Sequence, residues 1–295
     1  MFLAGCRTPS LPRPAPRLEA RQGDEIIAAG ELFHTGTRVV TWMDPGGYDA
    51  HPGAQPRNPR RVSSKPAKGA PSQNGELAAL QGTVDQFVLH YDGCGLSKLC
   101  FKVLRERGLS VHFLLDLDGT VYQTLDLRAR ALHATTSNDR SIGVEIANLG
   151  AYPPGEAKVL AGWYKYDARG EPSIKVPAAA GDPMIRTKNF VGRPARFSPL
   201  RGAVQRKTLV QYDFTPEQYT ALAKLTAALC RVFPGLKCDY PRDAAGRLVA
   251  EKLSEKELAR YQGVLGHFHI QTNKIDPGPA LQWDTLINEA RQLAK

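Results

Sequence analysis

The sequence of 295 residues contains no apolar run of about 18 residues or more, which excludes a transmembrane helix. It also lacks internal repeats, and cysteine occurs only five times. Apolar and charged residues make up 42% and 23% of the chain, as in ordinary globular proteins, and the length allows one domain with additions. We therefore expect one core domain with extensions, in a protein that is either free or anchored at one end.

Acidic residues are missing from the segment Pro52–Asn74, which carries five basic residues among proline, serine and glycine. The segment also lacks the apolar residues that a core needs, so we interpret residues 52–80 as a basic, proline-rich linker. It contributes to the formal net charge of +10, which suggests an anionic partner, although a solvated basic surface is the commoner explanation. Nucleic-acid binding would rest on this charge alone, and we expect no nucleic-acid partner.

The five cysteines fall into two close pairs and one isolated residue. Cys94 lies near Cys100 in the sequence, Cys230 lies near Cys238, and Cys6 stands alone. The simplest interpretation is that each close pair forms a local disulfide and that Cys6 has a separate role. Scattered buried thiols of a cytosolic protein are the alternative, because cysteine is often a small core residue.

Cys6 ends the string Leu3-Ala4-Gly5-Cys6, which resembles the lipobox at which bacterial lipoproteins are cleaved and lipid-modified. A secretory signal also needs a basic start and an apolar run of about 7 to 15 residues, and only Met1-Phe2 precede this string. Either the start of the chain lies upstream or the match is due to chance. We interpret residues 1–22 as a tether or signal remnant, with a lipid anchor at Cys6 if the match is real.

Short apolar runs predict the strands. Residues 23–51 contain strand-like runs separated by glycine and by the turn Pro45-Gly46-Gly47, and we interpret them as a small β-arm. The continuous run Gln86–His90 is typical of a buried strand. The pair Asp118-Gly119 marks a hairpin turn. Further strands, two of them joined by this turn, are predicted at 111–115, 120–123, 141–146 and 264–267.

Helix signals are clearest in the second half of the chain. Thr215-Pro216-Glu217-Gln218 is a capping box with proline at the first helical position, and it begins the strongest predicted helix. Shorter helices are predicted from Ser97, from Ser254 and at Leu281–Leu293. Residues 150–210 show no sustained periodicity, and we interpret them as an insertion of hairpins and loops. Its length favours a functional role or internal order.

Two histidines and an aspartate stand out as candidate metal ligands. His90 ends one predicted strand, His267 ends another, and Asp276 follows beside Pro277-Gly278. A catalytic zinc site takes three nitrogen or oxygen ligands from the protein and leaves a fourth position for water, and these residues supply such a set. Taken singly, each histidine is as readily a core residue. His269 competes with His267, because the two would share a face of an extended strand.

Four motifs resemble, in the same order, those of the type 2 N-acetylmuramoyl-L-alanine amidases. This family contains anhydro-muramoyl peptide amidases, phage amidase-lysozymes and peptidoglycan recognition proteins. The motifs are His90-Tyr91, Phe113–Asp116 with Asp118–Gln123, Ser141–Glu145, and Gly266-His267 with Lys274–Pro279. The resemblance covers about residues 84–149 and 214–283.

The resemblance implies an α/β fold like that of peptidoglycan recognition proteins and amidases. Its centre is a mixed β-sheet of about five or six strands flanked by helices, with the zinc ion in a groove at the strand ends. The zinc amidase domain would span residues 81–295. The N-terminal β-arm and the long insertion at about 150–210 are additions to this domain. Because the insertion directly follows the strand of Glu145, we expect it to wall the groove.

The resemblance also implies an activity. This is zinc-dependent hydrolysis of the amide bond between N-acetylmuramic acid and L-alanine, in peptidoglycan or its fragments. A non-catalytic peptidoglycan-binding protein of the same fold is the alternative. Glu145 would be the general base, and Lys274 would stabilise the oxyanion. Where the phage and recognition branches have a catalytic tyrosine this chain has Val111, so the glutamate branch fits better. The implied zinc ligands are His90, His267 and Asp276.

Neighbouring residues take further roles by the same resemblance. His133 and Asn138 match groove-lining positions and are expected to contact the substrate, although Leu132 replaces a tryptophan of the family. His112 matches a packed, hydrogen-bonded histidine that supports the site. The family has an acidic residue at the position of His269, so we expect His269 to support a ligand or to line the groove.

The spacing of Cys94 and Cys100 equals that of the disulfide that follows the first zinc histidine in recognition proteins. The resemblance therefore implies a Cys94–Cys100 disulfide, which fits an oxidising compartment. Peptidoglycan or muropeptides are the implied partners. We expect the protein to work outside the cytoplasm, in the periplasm or cell envelope.

Overall fold

The computed structural model describes residues 21–51 and 75–295. In this part of the chain the strands are β1 Glu25–Ala28, β2 Glu31–His34, β3 Val39–Thr41, β4 Gln86–Tyr91, β5 Phe113–Leu115, β6 Val121–Gln123, β7 Ser141–Ile146, β8 Tyr164–Tyr166, β9 Pro172–Ile174, β10 Leu200–Val204, β11 Lys207–Gln211 and β12 Gly263–Gly266. The α-helices are α1 Gly75–Gln81, α2 Ser97–Glu106, α3 Pro216–Val232, α4 Glu255–Arg260 and α5 Trp283–Leu293. Short 3₁₀ helices occur at Thr135–Ser137, Ala157–Gly162, Ala178–Ala180 and His267–His269.

Six strands form the central mixed sheet, in the order β12-β4-β7-β5-β6-β3. All neighbours run parallel except β5 and β6, which form the hairpin expected around Asp118-Gly119. Strands β4 and β7 lie in the middle and are almost entirely buried, which explains the continuous apolar run Phe87–Leu89 of β4. The predicted α/β class, with a central mixed sheet flanked by helices, is confirmed.

Helices cover both faces of this sheet. Phe113 and Leu115 of β5 belong to the main core with α3 and α5, whereas Leu114 packs with Leu104 of α2. Successive residues of a strand point to opposite faces, so α2 lies on the other side of the sheet from α3 and α5. The capping box at the start of α3 forms as the sequence indicates, with reciprocal hydrogen bonds between Thr215 and Gln218.

The N-terminal region is part of the core domain instead of a separate arm. Strands β1 and β2 form their own hairpin, but β3 is the edge strand of the central sheet and pairs with β6. The side chain of Gln123 also exchanges two hydrogen bonds with the backbone of Ile27, at 2.8 Å each. The short strand β3 contains no local pattern that indicates pairing with β6, about 80 residues further along the chain. For this reason the sequence predicted a separate β-arm.

The predicted linker is too long at its C-terminal end. Gly75–Gln81 forms α1, and its residues Leu77 and Leu80 are buried in the main core. Residues 52–74 lie outside the described residues, as do residues 1–20 with Cys6 and most of the expected tether. Among the described residues, no helix combines the length and apolar character that crossing a membrane requires.

The segment 150–210 contains two antiparallel hairpins, β8–β9 and β10–β11, besides loops and short 3₁₀ turns. A β-bridge between Tyr152 and Val210 joins its two ends. The β10–β11 hairpin lies against the loop that follows β12, where a Cβ atom on Gly202 would come within 2.7 Å of Pro279. The segment therefore has internal order and packs onto the core domain.

Candidate metal centre

A pocket of about 310 Å³ lies at the carboxyl ends of β4, β7 and β12. Parallel strands end at the same edge of a sheet, so their last side chains and the loops that follow them meet there. Glu145 on β7 is the register partner of His90 on β4. The pocket is lined by His90, His133, Glu145, His267, Lys274 and Asp276, together with an apolar wall that includes Val103 and Leu132.

His90, His267 and Asp276 bring their potential ligand atoms within 4.8 Å of one another. Oδ2 of Asp276 lies 2.8 Å from Nδ1 of His90 and 3.0 Å from Nδ1 of His267. All three side chains are buried. Two imidazole nitrogens and one carboxylate oxygen are the ligand types that a catalytic zinc ion takes from a protein.

The second nitrogen of His267 is held by the loop itself. Its Nε2 lies 2.7 Å from Oε1 of Gln271, an atom that only accepts hydrogen bonds. With Nε2–H donating to Gln271, Nδ1 is the nitrogen that can bind a metal ion, and it lies 3.0 Å from Oδ2 of Asp276. The arrangement of His267 and Asp276 therefore fits a metal ion.

His90 has a comparable support in His133. Nε2 of His90 lies 3.0 Å from Nδ1 of His133, and Nε2 of His133 lies 3.2 Å from Oγ of Ser141. When His90 uses Nδ1 as a ligand, its Nε2–H donates to His133, which in turn donates to Ser141. Residue 143 has to be glycine for His133 to lie here, because a Cβ atom at this position would come within 2.5 Å of the His133 ring. His133 lines the pocket, but both of its ring nitrogens have protein partners.

Asn138 supports the turn that carries His133. Its Oδ1 accepts hydrogen bonds from the backbone N–H groups of His133, at 3.1 Å, and Ala134, at 2.7 Å. The side chain is buried and is not among the residues that line the pocket. Its contact with the substrate stays a prediction.

His112 is a buried core histidine, as expected. Its Nε2 lies 3.1 Å from the carbonyl oxygen of Ala129, and its Nδ1 accepts a hydrogen bond from the N–H of Gly143 at 3.1 Å. Its ring lies edge-on to His133, with 5.8 Å between the ring centroids. His112 thus packs behind the supporting histidine and does not reach the pocket.

His269 lies away from the ligand cluster, and the competition with His267 is resolved. Its Nδ1 accepts from the N–H of Gly266 at 2.8 Å, and its Nε2 donates to the carbonyl oxygen of Val249 at 2.7 Å. Burial lowers the pKa of His269 to about 3, so the ring is neutral. Residues 267–269 form a 3₁₀ turn instead of a strand. Alternate residues of such a turn do not share a face, and His269 is not among the residues that line the pocket. Its expected support of a ligand stays a prediction.

Glu145 lies in the pocket with only part of its surface exposed. Burial, followed by the charges of Asp276 and Asp92, raises its pKa well above the ordinary value, whereas Lys274 and Arg107 lower it. A carboxyl group with a raised pKa in a pocket is typical of a residue that exchanges protons near neutral pH. Val111, at the place of the family's tyrosine, is buried in an apolar cluster and supplies no such group.

Several pocket residues were assigned no role from the sequence. Tyr91 and Asp92 follow His90 directly and line the pocket, as does Arg107 just beyond the end of α2. Burial raises the pKa of Asp92 to about 6. Gln271 is an ordinary loop residue by its sequence context, and only the fold shows that it holds His267.

The predicted Cys94–Cys100 disulfide is not formed in the structure. Both residues are free thiols that border the pocket, and Cys100 is packed among the apolar residues of α2 and its neighbours. Burial raises the pKa of Cys94 to about 12, and it also raises the pKa of Cys100 well above its ordinary value. Cys230 and Cys238 are also free thiols.

The central sheet and the His-His-Asp cluster define an α/β domain with a candidate metal centre at the strand ends. Residues 80–176 match the sequence model of the family described as N-acetylmuramoyl-L-alanine amidase. This match supports the resemblance to the type 2 amidases over about a third of the chain. The matched range includes His90 and Glu145, whereas His267 and Asp276 lie beyond it and reach the same pocket through the fold.

Solved structures of amidases are similar to the chain at low identity. A selenomethionine derivative of AmpD is 17% identical, over 73% of this chain and 87% of that chain, with a TM-score of 0.33. AmiD from E. coli, solved in complex with anhydro-N-acetylmuramic acid-L-Ala-D-gamma-Glu-L-Lys, is 17% identical over 70% and 57%, with a TM-score of 0.37. The endolysin LysCS from Clostridium intestinale is 14% identical over 73% and 88%, with a TM-score of 0.36. A comparison with curated proteins found no match.

Proposed function

We propose that this chain is a zinc-dependent amidase that hydrolyses the bond between N-acetylmuramic acid and L-alanine, in peptidoglycan or its fragments. The observation that carries the proposal is the convergence of His90, His267 and Asp276 in a pocket that Glu145 and Lys274 also line. The family match supports the substrate class. Two imidazoles and one carboxylate, each imidazole with a hydrogen-bond partner on its other nitrogen, suit zinc.

The roles of the residues follow from their places in the pocket. A zinc ion held by the three ligands supplies Lewis-acid activation of water and of the amide carbonyl group. A carboxylate oxygen of Glu145 accepts the proton of the attacking water and then delivers it to the amide nitrogen that leaves as the L-alanine amine. The Nζ ammonium group of Lys274 stabilises the charge that develops on the carbonyl oxygen. One C–O bond forms and one C–N bond breaks.

One experiment tests the activity and its alternative together. The purified protein is loaded with zinc and incubated with intact sacculi and with soluble muropeptides, and the products are identified by mass. We expect free stem peptides with L-alanine at the amino end, lost on chelation and restored by zinc. Zinc-loaded protein that retains muropeptides without releasing peptides would instead be a binding protein of the same fold. Protein that takes up no zinc would refute the metal centre.

We also propose that the chain acts outside the cytoplasm, where wall peptidoglycan lies. The family match supports this location through the substrate. A lipid anchor at Cys6 stays a prediction, because Cys6 lies outside the described residues. A mass increase on the peptide that begins with Cys6, in protein from its native compartment, would establish the anchor.

Replacing His133 by phenylalanine is expected to weaken zinc binding about 10- to 100-fold, as removal of a ligand's hydrogen-bond partner typically does. The phenyl ring fills the space but leaves Nε2–H of His90 without its acceptor. Competition with a chromophoric chelator measures the affinity. His51→Phe is the control, since His51 belongs neither to the pocket lining nor to a group that could hold a metal ion. Unchanged affinity in His133→Phe would show that His90 needs no such support.

Replacing Arg107 by glutamine is expected to move the acid limb of the pH profile of kcat/KM to higher pH. The positive charge of Arg107 lowers the pKa of Glu145, so its removal raises that pKa. The ionised base then forms only at higher pH, and activity falls at the acid end. Arg105→Gln, on the same helix and facing Phe101, is the control. A shift to lower pH, or an equal shift in the control, would contradict this coupling.

A further inference from the structure

The loop that follows β12 carries two of the three candidate ligands. After the 3₁₀ turn at His267–His269, its residues up to Ala280 form no strand or helix, although Lys274 and Asp276 lie in it. A hydrogen bond of 3.1 Å between the N–H of Phe268 and the carbonyl oxygen of Asp276 closes it internally. Since a metal site tolerates little variation in ligand position, contacts from outside are needed to fix the shape of this loop.

Gln205 contacts the start of the loop from the tip of the β10–β11 hairpin. Its Nε2 donates to the carbonyl oxygens of Phe268, at 2.7 Å, and Gln271, at 3.0 Å. Its Oε1 accepts from the N–H of Lys252 at 3.2 Å. Phe268 follows the ligand His267 directly, and Gln271 holds the ring of His267. The amide group of Gln205 therefore bridges the two ends of the turn that orients His267.

The backbone at the tip of the hairpin is unusual for its residues. Gln205 and Arg206 connect β10 to β11 with φ angles of 51° and 59°. Asn-Gly pairs are favoured in such two-residue turns, because other residues are strained at positive φ. A glutamine in this position has a strained backbone and a side chain with three polar contacts. Such a combination indicates that the side chain has a role.

Gln211 contacts the end of the loop from the last position of β11. Its side chain is fully buried; Nε2 donates to the carbonyl oxygen of Pro277 at 3.1 Å, and Oε1 accepts from the N–H of Ala280 at 3.0 Å. Gly278 has a φ of 84°, and a Cβ atom on it would come within 2.1 Å of Oε1 of Gln211. The segment directly after the ligand Asp276 is thus packed closely on this amide.

The insertion does not form the wall of the groove that the sequence suggested. Among the described residues, those that line the pocket include none from 150–210. The β10–β11 hairpin instead contacts the loop just after each of its two ligands, at Phe268 and at Pro277.

From these contacts we propose that Gln205 and Gln211 are positioning residues, through which the hairpin of the insertion sets the relative placement of His267 and Asp276 and hence the affinity for the metal. This inference rests on the proposed metal centre. Neither glutamine lines the pocket, so their effect on zinc passes through the loop.

Gln205→Glu tests the proposal with almost no change of shape. The variant replaces the donor group by a carboxylate oxygen that faces two carbonyl oxygens, so the turn behind His267 loses its support. We expect the zinc affinity, measured by competition with a chelator, to fall about 10- to 100-fold. The visible spectrum of the cobalt-substituted protein is expected to change as well, because it reports ligand geometry. Gln205→Lys restores a donor and is expected to recover most of the affinity.

Thr208→Glu is the matched control. It makes the same change of charge on the same hairpin, at an exposed position of β11. Thermal unfolding of the metal-free proteins shows whether a variant is less stable, independently of how it places the ligands. If Gln205→Glu does not fold, Gln205→Ala is used in its place. Lowered stability with unchanged zinc affinity and cobalt spectrum would overturn the inference and show a structural role only. If the unaltered protein binds no zinc, the metal centre is wrong and the inference fails with it.

Discussion

In the proposed zinc amidase, Glu145→Gln is expected to bind zinc as before and to lose most of the turnover, with kcat lower by about 10²- to 10⁴-fold. Glutamine has the same shape but cannot accept the proton of the attacking water. Glu145 is not a member of the ligand cluster, so metal loading does not depend on it. Elemental analysis measures the zinc content of the variant. Initial rates on a soluble muropeptide measure its turnover.

The stability of Glu145→Gln provides an independent check. The pKa of Glu145 is raised in the folded protein, so its ionisation disfavours folding as the pH rises through that value. The neutral glutamine avoids this effect, and the variant is expected to unfold at the same temperature as the unaltered protein or a higher one. Glu106→Gln, at an exposed site on α2, is the control for a lost charge. Full activity in Glu145→Gln would remove Glu145 as the base.

His267→Ala is expected to abolish zinc loading and activity, whereas His269→Ala is expected to retain zinc. His267 directs Nδ1 at Asp276, but both nitrogens of His269 are engaged with backbone groups of Gly266 and Val249. Losing these two hydrogen bonds and leaving a cavity would cost His269→Ala about 3 kcal/mol of stability.

The two variants are compared by zinc content and by thermal unfolding in the presence of chelator. Each serves as the control for the other, since each removes one buried histidine of the same turn. Zinc retained by His267→Ala and lost by His269→Ala, both measured well below their unfolding temperatures, would place the ligand two residues further along the chain.

Local sequence patterns were sufficient for much of the fold. The apolar run that ends at His90 is a strand, because a parallel strand buried on both faces needs continuous apolar residues. The capping box at Thr215 begins a helix because its two hydrogen bonds are local. The helix α1 was missed, since its apolar residues Leu77 and Leu80 follow directly on a segment without core residues.

The failures share one physical cause, which is that a local pattern has more than one tertiary solution. His267 and His269 were equivalent as a strand, and the 3₁₀ turn separated them. Cys94 and Cys100 have the spacing of a disulfide but lie in the structure as free thiols.

The sequence by itself determined which residues could hold a metal and at which strand ends they stand. Tertiary structure alone decided that His90 and Asp276, 186 positions apart, meet at 2.8 Å. That meeting requires the parallel pairing of β12 with β4, which aligns their ends, and the loop that the β10–β11 hairpin supports. Contacts between distant segments depend on how whole elements pack, and no short stretch of sequence encodes them.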